Sequence, residues 1–429
     1  MMQSDSNVEI QDQSPTQDSM NSQYQWIFVF VVLGCLSRLL WADDMKWKGD
    51  EIWMYEMARD VVTGQRPWPW LGMPTSTGFL NPGLSVWCFI AFAWVSTDPV
   101  TMVRMVQGLN IVAIVLFILW IMRHVPKSER IVWLWGIAIM SVNPLAIHFS
   151  RSFWANDILP FFGFFVFAGH WFRNLKWGAG AWGLAGTLIG QVHPSGLFWQ
   201  ASLVIVSLWK YRTSTRWNWC ALGSAIGFLP MIPWILHMSE PAGTVMRPSW
   251  AEILTPNFPL HWLLSSWGLN LEYELGSEFW RSFLQEPRII GYPSFGAAAT
   301  LLFLAVSAIA AIVRWVRSRQ IGRVPDLKNQ NLIDHKPTYE LYLWASGVIM
   351  PVLFLLARVR IPAHYLIVIY PFIHIWVAVL ERNRPRSLIA ICSAQLLISI
   401  CFLVFIHIHN GGPEAYYGLV YRLHPVISR

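Results

Sequence analysis

The sequence predicts an all-α, polytopic membrane protein with about eleven transmembrane helices and one further helix at the outer surface. Three observations carry this prediction: an apolar composition, apolar runs of membrane-spanning length, and basic residues confined to short loops between them. Hydrophobic side chains make up 55% of the 429 residues and charged ones 13%, and the mean hydropathy is +0.42. The chain is therefore too apolar for a soluble protein of this length.

The apolar runs come close to the roughly 20 residues that a helix needs to cross a bilayer. They lie at 25–42, 103–122, 131–148, 157–172, 179–192, 195–209, 218–237, 293–313, 339–357, 364–380 and 387–408. A shorter run at 80–95 is entered through Asn81-Pro82-Gly83. We interpret it as an outer-surface or re-entrant helix rather than a span.

Basic residues give the expected orientation, because Lys and Arg are retained in cytoplasmic loops. Five clusters fall on one side only if the run 80–95 does not cross. They are Arg123/Lys127/Arg130, Arg173/Lys176, Lys210/Arg212/Arg216, Arg314 to Lys336, and Arg382/Arg384/Arg386. The amino terminus is then cytoplasmic and the carboxyl terminus outside. We expect a multi-pass protein of the bacterial inner (plasma) membrane, with its active site on the non-cytoplasmic side.

This organisation predicts one domain and excludes several classes of protein. Residues 1–24 are polar and predict a disordered cytoplasmic tail, while 25–429 form a single transmembrane domain with outer loops 43–102 and 238–292. The net charge of +7 is spread over loops as topology signals, so no nucleic-acid partner is expected. The five cysteines stand singly, which argues against a disulfide framework.

Two adjacent carboxylates, Asp50 and Glu51 in "KWKGDEIWMY", follow the first span in the first outer loop. A carboxylate at that place can act as a general base toward an acceptor hydroxyl or amine. The alternative is a helix start in a wet loop, where acidic side chains suit the positive end of the helix dipole. The sequence leaves both interpretations open.

Asp157 opens another predicted span and follows "FSRSFWAN", which contains Arg151. An ionisable group at that depth is costly unless it is paired or faces water, which favours a functional site. Helix capping by Asn156 and Asp157 is the alternative.

A late segment, "ARVRIPAHYLIVIYP", places Arg358 and Arg360 at the outer membrane edge, where the positive-inside rule disfavours them. Guanidinium groups there suit a phosphate group, with His364 and Tyr365 beside them. Snorkelling to the interface competes with this interpretation. His193, in a Pro/Gly turn, fits a structural role better than a binding one.

Taken in order, these motifs resemble the GT-C superfamily of polyprenyl-phosphate-dependent glycosyltransferases, above all the protein mannosyltransferases and aminoarabinose transferases. "GDEIWMYEMARDV" is similar to their Asp-Glu motif with its following juxtamembrane helix. "NPLAIHFSRSFWAND" resembles the stretch in which Ser-Arg precedes an acidic residue, and the late Arg-x-Arg segment resembles the one that meets the lipid phosphate.

The resemblance implies an inverting transfer of a sugar from a polyprenyl-phosphate donor to a lipid, glycan or protein acceptor, among membrane lipids. It implies Asp50 as the base, Glu51 and Asp157 as further acidic site residues, and a donor-phosphate site made of Arg151, Arg358, Arg360, His364 and Tyr365. A divalent metal ion (Mg or Mn) on Asp50 and Asp157 stays open, because Ile158 stands where metal-dependent oligosaccharyltransferases have a second acid.

Two other classes of protein fit parts of the sequence. A lipid or polysaccharide flippase predicts charged or broken helices near mid-membrane and internal repeats. A non-catalytic subunit of a surface-polymer assembly predicts the same spans without a functioning base. An assay with a polyprenyl-phosphate sugar distinguishes the three.

Overall fold

The structure, a computed structural model, describes residues 17–74, 80–237, 249–250, 257–321, 337–359, 363–412 and 415–424. The described chain is all-α apart from three two-stranded hairpins. Its buried apolar side chains form one contiguous core that includes Trp133, Trp135, Trp182 and Trp199. The predicted fold class is confirmed to this extent.

Helices of the first half follow the apolar runs of the sequence. They are α1 (Gln17–Leu39), α2 (Gly49–Val62), α3 (Leu84–Val95), α4 (Pro99–His124), α5 (Lys127–Val142), α6 (Pro144–His148), α7 (Leu159–Trp171), α8 (Lys176–Val192) and α9 (Ser195–Lys210). A hairpin of β1 (Leu71–Pro74) and β2 (Leu80–Pro82) leads into α3. Helix α1 begins at Gln17, so 17–24 are helical rather than disordered, and 1–16 lie outside the described residues.

Helices of the second half include two broken elements. They are α10 (Trp217–Phe228), α11 (Ile232–Leu236), α12 (Asn257–Ser266), α13 (Glu272–Leu284), α14 (Gly296–Ile321), α15 (Thr338–Trp344), α16 (Met350–Leu356), α17 (Phe372–Leu380) and α18 (Pro385–His409). A 3-10 helix at Ala363–Ile369 precedes α17 with a bend of 82°. The hairpins β3 (Arg288–Ile289) with β4 (Tyr292–Pro293), and β5 (Gly411–Gly412) with β6 (Gly418–Leu419), complete the fold.

Several helices are long and apolar enough to cross a membrane. Within the described residues there are five by length and composition, or up to six if the bent pair at 363–380 counts as one span. Each of the eleven predicted runs contains a helix, but α5, α7, α8 and α9 have only 13 to 17 residues. The count of eleven spans therefore stays a prediction.

The run at 80–95 forms a separate short helix, α3, as the sequence predicts. Its 12 residues span about 18 Å, less than the roughly 30 Å of a hydrocarbon core. The next helix starts afresh, because the Asp98 side chain accepts a hydrogen bond from the Thr101 main-chain N–H at 2.7 Å. Trp94, at the end of α3, is 64% exposed, which suits a side chain at a membrane interface.

Small residues let α8 and α10 pack with their backbones in contact. A Cβ on Gly183 would lie 2.0 Å from the Cys220 carbonyl oxygen, and one on Gly223 would lie 2.0 Å from the Gly180 carbonyl oxygen. Close approach through small residues is a common way for helices to associate in lipid, where burial of apolar surface gives little driving force.

Two buried arginines hold the end of α1. Arg38 donates to the carbonyl oxygens of Gly34 at 2.8 Å and Ser141 at 2.5 Å. Arg151 donates to the carbonyl oxygens of Leu40 and, at 2.8 Å, Trp41. Cations suit the negative end of a helix, and these bonds fix the loop at 149–156 against the start of the chain segment that carries Asp50.

The predicted orientation can be tested with two cysteines in a background without the five native ones, all of which are free thiols. We expect Ser128→Cys to react with a membrane-impermeant thiol reagent only after the cytoplasmic face is opened, and Ser277→Cys to react in intact cells. Both positions are exposed. The reason is the expectation that the basic clusters lie in cytoplasmic loops. Labelling of both from the same side would contradict the predicted topology.

Candidate functional site

A buried ionic cluster of four side chains lies where three parts of the chain meet. It consists of Lys46, between α1 and α2; Glu51, in the first turn of α2; His148, at the end of α6; and Glu274, in the first turn of α13. Lys46, Glu51 and Glu274 are 3%, 2% and 0% exposed. Charged side chains are rarely buried so completely unless they are paired.

The lysine of this buried ionic cluster lies within ion-pair distance of both glutamates but makes no hydrogen bond to either. The Lys46 Nζ lies 3.6 Å from Glu51 Oε1 and 3.7 Å from Glu274 Oε2, which is longer than an N–H···O hydrogen bond. Glu274 Oε2 lies 3.2 Å from His148 Nε2. Removing one member would leave an uncompensated charge inside the protein, so the cluster constrains the three parts of the chain together.

Asp50 differs from its neighbour because its side chain is exposed. It stands in the first turn of α2, while the adjacent Glu51 points into the buried ionic cluster. Partial burial of the carboxyl group raises the pKa of Asp50 above its ordinary value, and the ammonium groups of Lys46 and Lys48 oppose that shift. Of the two carboxylates predicted from the sequence, only Asp50 is free to meet a substrate, and a raised pKa makes it a better base.

The C-terminal segment returns to this site, which the sequence did not predict. Tyr417 donates through its hydroxyl to the Asp44 carbonyl oxygen at 2.6 Å and through its main-chain N–H to the Glu274 carbonyl oxygen at 2.8 Å. Arg422 Nε donates to Asp44 Oδ1 at 2.5 Å, and His407 Nδ1 lies 2.7 Å from Asp44 Oδ2. The segment after α18 is thereby fixed across the start of α2.

Asp157 lies in a short 3-10 helix at Ala155–Ile158 and is fully buried. Its Oδ2 accepts a hydrogen bond from the Ser152 hydroxyl at 2.5 Å, and Asn110 Nδ2 donates to its main-chain oxygen at 2.7 Å. These contacts tie the 149–156 loop to α4. The structure places Asp157 behind the site, not at its surface.

His364 and Tyr365 join His193 in an aromatic group beside the buried ionic cluster. Ring centroids are 4.9 Å apart for His193 and Tyr365 and 4.2 Å apart for Trp154 and His364. The Lys46 Nζ lies 5.7 Å from the Trp154 ring centroid. The His193 Nδ1 lies 2.8 Å from the Ser195 hydroxyl, so this histidine has a local partner, as its structural interpretation requires.

Two of the three predicted arginines, Arg151 and Arg358, lie in the described residues and have different surroundings. Arg151 is buried against main-chain oxygens, a placement that favours holding the loop over binding a phosphate. Arg358 is exposed, and its guanidinium carbon lies 4.4 Å from the Trp250 ring centroid. Arg360 lies outside the described residues. Of Arg151 and Arg358, only Arg358 is exposed and so accessible to a donor.

Asp50 and Asp157, the two residues expected to hold a divalent metal ion, have different surroundings. Asp157 is buried and hydrogen-bonded to Ser152, whereas Asp50 is exposed. Within the described ranges, no group of three His, Cys, Asp or Glu side chains is arranged to bind a metal ion. We therefore derive no step through a metal.

A small internal cavity lies away from Asp50. Its volume is about 10 Å³, and Arg38, Asn110 and Tyr370 are among its lining residues. That volume is room for about one water molecule. It is too small for a sugar or a lipid, and Asp50 is not among its lining residues.

Glu51 gives the buried ionic cluster a pH dependence. Burial raises the pKa of Glu51 from its ordinary value of 4.5 to about 7, against the opposing charge of Lys46. Burial acts the same way on Glu274, but His148 and Lys46 outweigh it and lower the Glu274 pKa below 4.5. Between 4.5 and about 7, the folded protein therefore binds more protons at Glu51 than the unfolded chain does.

We expect the free energy of unfolding to fall as pH rises across that window, because the fold binds the extra proton there. In Glu51→Gln this contribution is absent, since the amide does not titrate. The measurement is the unfolding midpoint in detergent at about pH 5 and about pH 7.5. An equal pH slope in the parent and in Glu51→Gln would contradict this assignment.

Sequence reasoning missed Lys46, His148, Glu274 and Tyr417. Lys46 and Lys48 precede the Asp-Glu pair by two to five residues in "KWKGDE". Their closeness in sequence could have indicated that they pair with these carboxylates. His148 stands just before the Ser-Arg stretch without any distinguishing pattern. Glu274 lies in the long segment that resembles no known motif, so only the fold reveals it.

Comparisons of the chain with protein-family models, with curated proteins and with solved structures return no match.

Proposed function

We propose that this protein is an integral-membrane glycosyltransferase that moves a sugar from a polyprenyl-phosphate donor to an acceptor outside the cytoplasm, with Asp50 as the base. The observation that carries the proposal is the difference in exposure between two adjacent carboxylates. Asp50 is exposed at the start of α2, while Glu51 is buried in the cluster behind it. A solvated loop with incidental charges has no need for such a support.

The chemistry follows from that arrangement. Asp50 takes the proton of an acceptor hydroxyl, and the acceptor oxygen forms a bond to the anomeric carbon of the donor sugar. The bond from that carbon to the phosphate oxygen breaks, and its electron pair leaves with the polyprenyl phosphate. Attack opposite the leaving group inverts the anomeric configuration. Nearby cations stabilise the departing phosphate.

The experiment is a transfer assay with purified protein in lipid, using a panel of polyprenyl-phosphate sugars and a panel of lipid, glycan and peptide acceptors. Radiolabelled sugar on an acceptor supports the enzyme. Movement of intact lipid donor across vesicles without transfer supports a flippase, and neither activity in the presence of a correctly folded protein supports a non-catalytic subunit.

Arg358 is the exposed cation that we expect to contact the donor phosphate. Arg358→Ala should raise the donor KM about 10-fold or more, which corresponds to the loss of one charge-assisted hydrogen bond. Arg358→Lys should restore only part of it, because an ammonium group cannot make a planar paired contact. The acceptor KM should not change.

The control for Arg358 is Arg288→Ala, because Arg288 is an exposed arginine in strand β3 with its Nε 3.7 Å from Glu286 Oε1. Steady-state kinetics with donor and acceptor varied separately make the measurement. Equal losses for both substrates would show that Arg358 only positions its segment at the membrane interface.

A further inference from the structure

The Tyr416 ring of the C-terminal segment lies against the two lysines that precede α2. The Nζ atoms of Lys46 and Lys48 lie 3.8 Å and 4.4 Å from the Tyr416 ring centroid. Tyr273, next to Glu274, packs on the same ring with centroids 4.5 Å apart. An ammonium group over an aromatic face gains roughly 0.5–2 kcal/mol, more as it is desolvated.

Further contacts from the same segment hold Lys48. Its Nζ lies 3.4 Å from the Ala415 carbonyl oxygen. Its aliphatic stem passes Gly418 so closely that a Cβ there would lie 2.9 Å from Lys48 Cδ. Gly418 also has a φ of +74°, a conformation that glycine adopts without strain. The segment therefore fits around Lys48 specifically.

Burial lowers the pKa of Lys48, and repulsion from the Lys46 ammonium group lowers it further. Both lysines lie within three residues of one another in sequence and act electrostatically on Asp50. A fold that brings two cations to one ring, beside an exposed carboxylate, fixes charges whose position a free loop would leave undefined.

We infer that Tyr416 is a positioning residue, which holds the ammonium groups of Lys46 and Lys48 beside Asp50, so that the C-terminal segment forms one wall of the site. The inference deepens the proposed function and rests on it for the role of Asp50. The placement of the lysines by Tyr416 does not depend on which reaction is catalysed.

Asp50 is influenced by charged and titratable groups from three parts of the chain. Lys46, Lys48 and Glu51 belong to its own region, Tyr273 belongs to α13, and Tyr416 belongs to the C-terminal segment. The two lysines favour the ionised carboxylate, whereas Glu51 disfavours it. Moving the lysines away would therefore raise the pKa of Asp50. As pH falls, Asp50 would then become protonated, and transfer would be lost, at a higher pH than in the parent.

The test compares Tyr416→Phe, which keeps the ring, with Tyr416→Leu, which keeps an apolar side chain but removes the ring. Tyr421→Leu is the matched control, because Tyr421 belongs to the same segment but packs on Trp47 with ring centroids 4.7 Å apart. The first readout is the rate at which an amine reagent modifies Lys48 in the folded protein, measured by mass spectrometry. The second readout is the pH profile of kcat/KM.

We expect Tyr416→Leu to increase Lys48 modification roughly threefold, the effect of losing a weak cation–π contact, while Tyr416→Phe and Tyr421→Leu match the parent. In the same variant the acidic limb of kcat/KM should move to higher pH. Unchanged Lys48 modification in Tyr416→Leu overturns the inference. If Lys48 is modified faster in Tyr416→Leu but the parent protein transfers no sugar, Tyr416 still holds the lysines and the proposed function is wrong instead.

Discussion

Replacement of Asp50 by Asn is expected to lower sugar transfer by about 100-fold or more, while expression and donor binding stay close to those of the parent. The amide keeps the size of the side chain but cannot accept a proton. Asp50 is exposed and lies outside the buried ionic cluster, so the substitution removes no buried partner. A loss confined to kcat would identify an interaction made in the transition state.

The matched control is Asp43→Asn, a half-buried carboxylate seven positions away on the same segment. It should retain activity within a few-fold. Measurements are initial rates of transfer and equilibrium binding of a labelled polyprenyl-phosphate sugar. Asp50→Asn with activity within a few-fold of the parent would falsify the assignment of the base, whatever its effect on stability.

The second large effect is expected from Lys46→Met, which should lower the free energy of unfolding by about 3–5 kcal/mol. Met keeps much of the stem but leaves Glu51 and Glu274 buried without the cation between them. Lys46→Arg should cost less because it keeps the charge. The measurement is denaturant unfolding in mixed micelles, followed by tryptophan fluorescence.

A double variant separates lost charge from lost packing. Lys46→Met with Glu274→Gln should be more stable than the sum of the single losses predicts, because partners in one network are not additive. Lys210→Met is the control, since the Lys210–Glu340 pair at 3.3 Å is partly exposed and such pairs contribute about 0–1 kcal/mol. A Lys46→Met cost no greater than that of Lys210→Met would show that the cluster does not hold the segments together.

The sequence by itself determined the class of protein and the placement of most helices. Apolar runs separated by basic turns require helices, because backbone polar groups in an apolar environment must be hydrogen-bonded internally. The 80–95 run could be set apart because it is entered through Asn81-Pro82-Gly83 and because a crossing there would separate the basic clusters. Hydropathy alone did not determine the number of spans. Helices such as α7, with 13 residues, are shorter than the roughly 20 residues needed to cross a bilayer.

Only the tertiary structure decided which of the candidate groups share a site. Asp50 and Glu51 are equivalent in sequence, yet the turn of α2 exposes one and buries the other. Glu274 and Tyr416 reach the site from segments more than two hundred residues away along the chain. Local patterns report periodicity and solvent, whereas a buried ionic cluster depends on distances between distant segments. Those distances are set by packing, and no short stretch of the sequence encodes them.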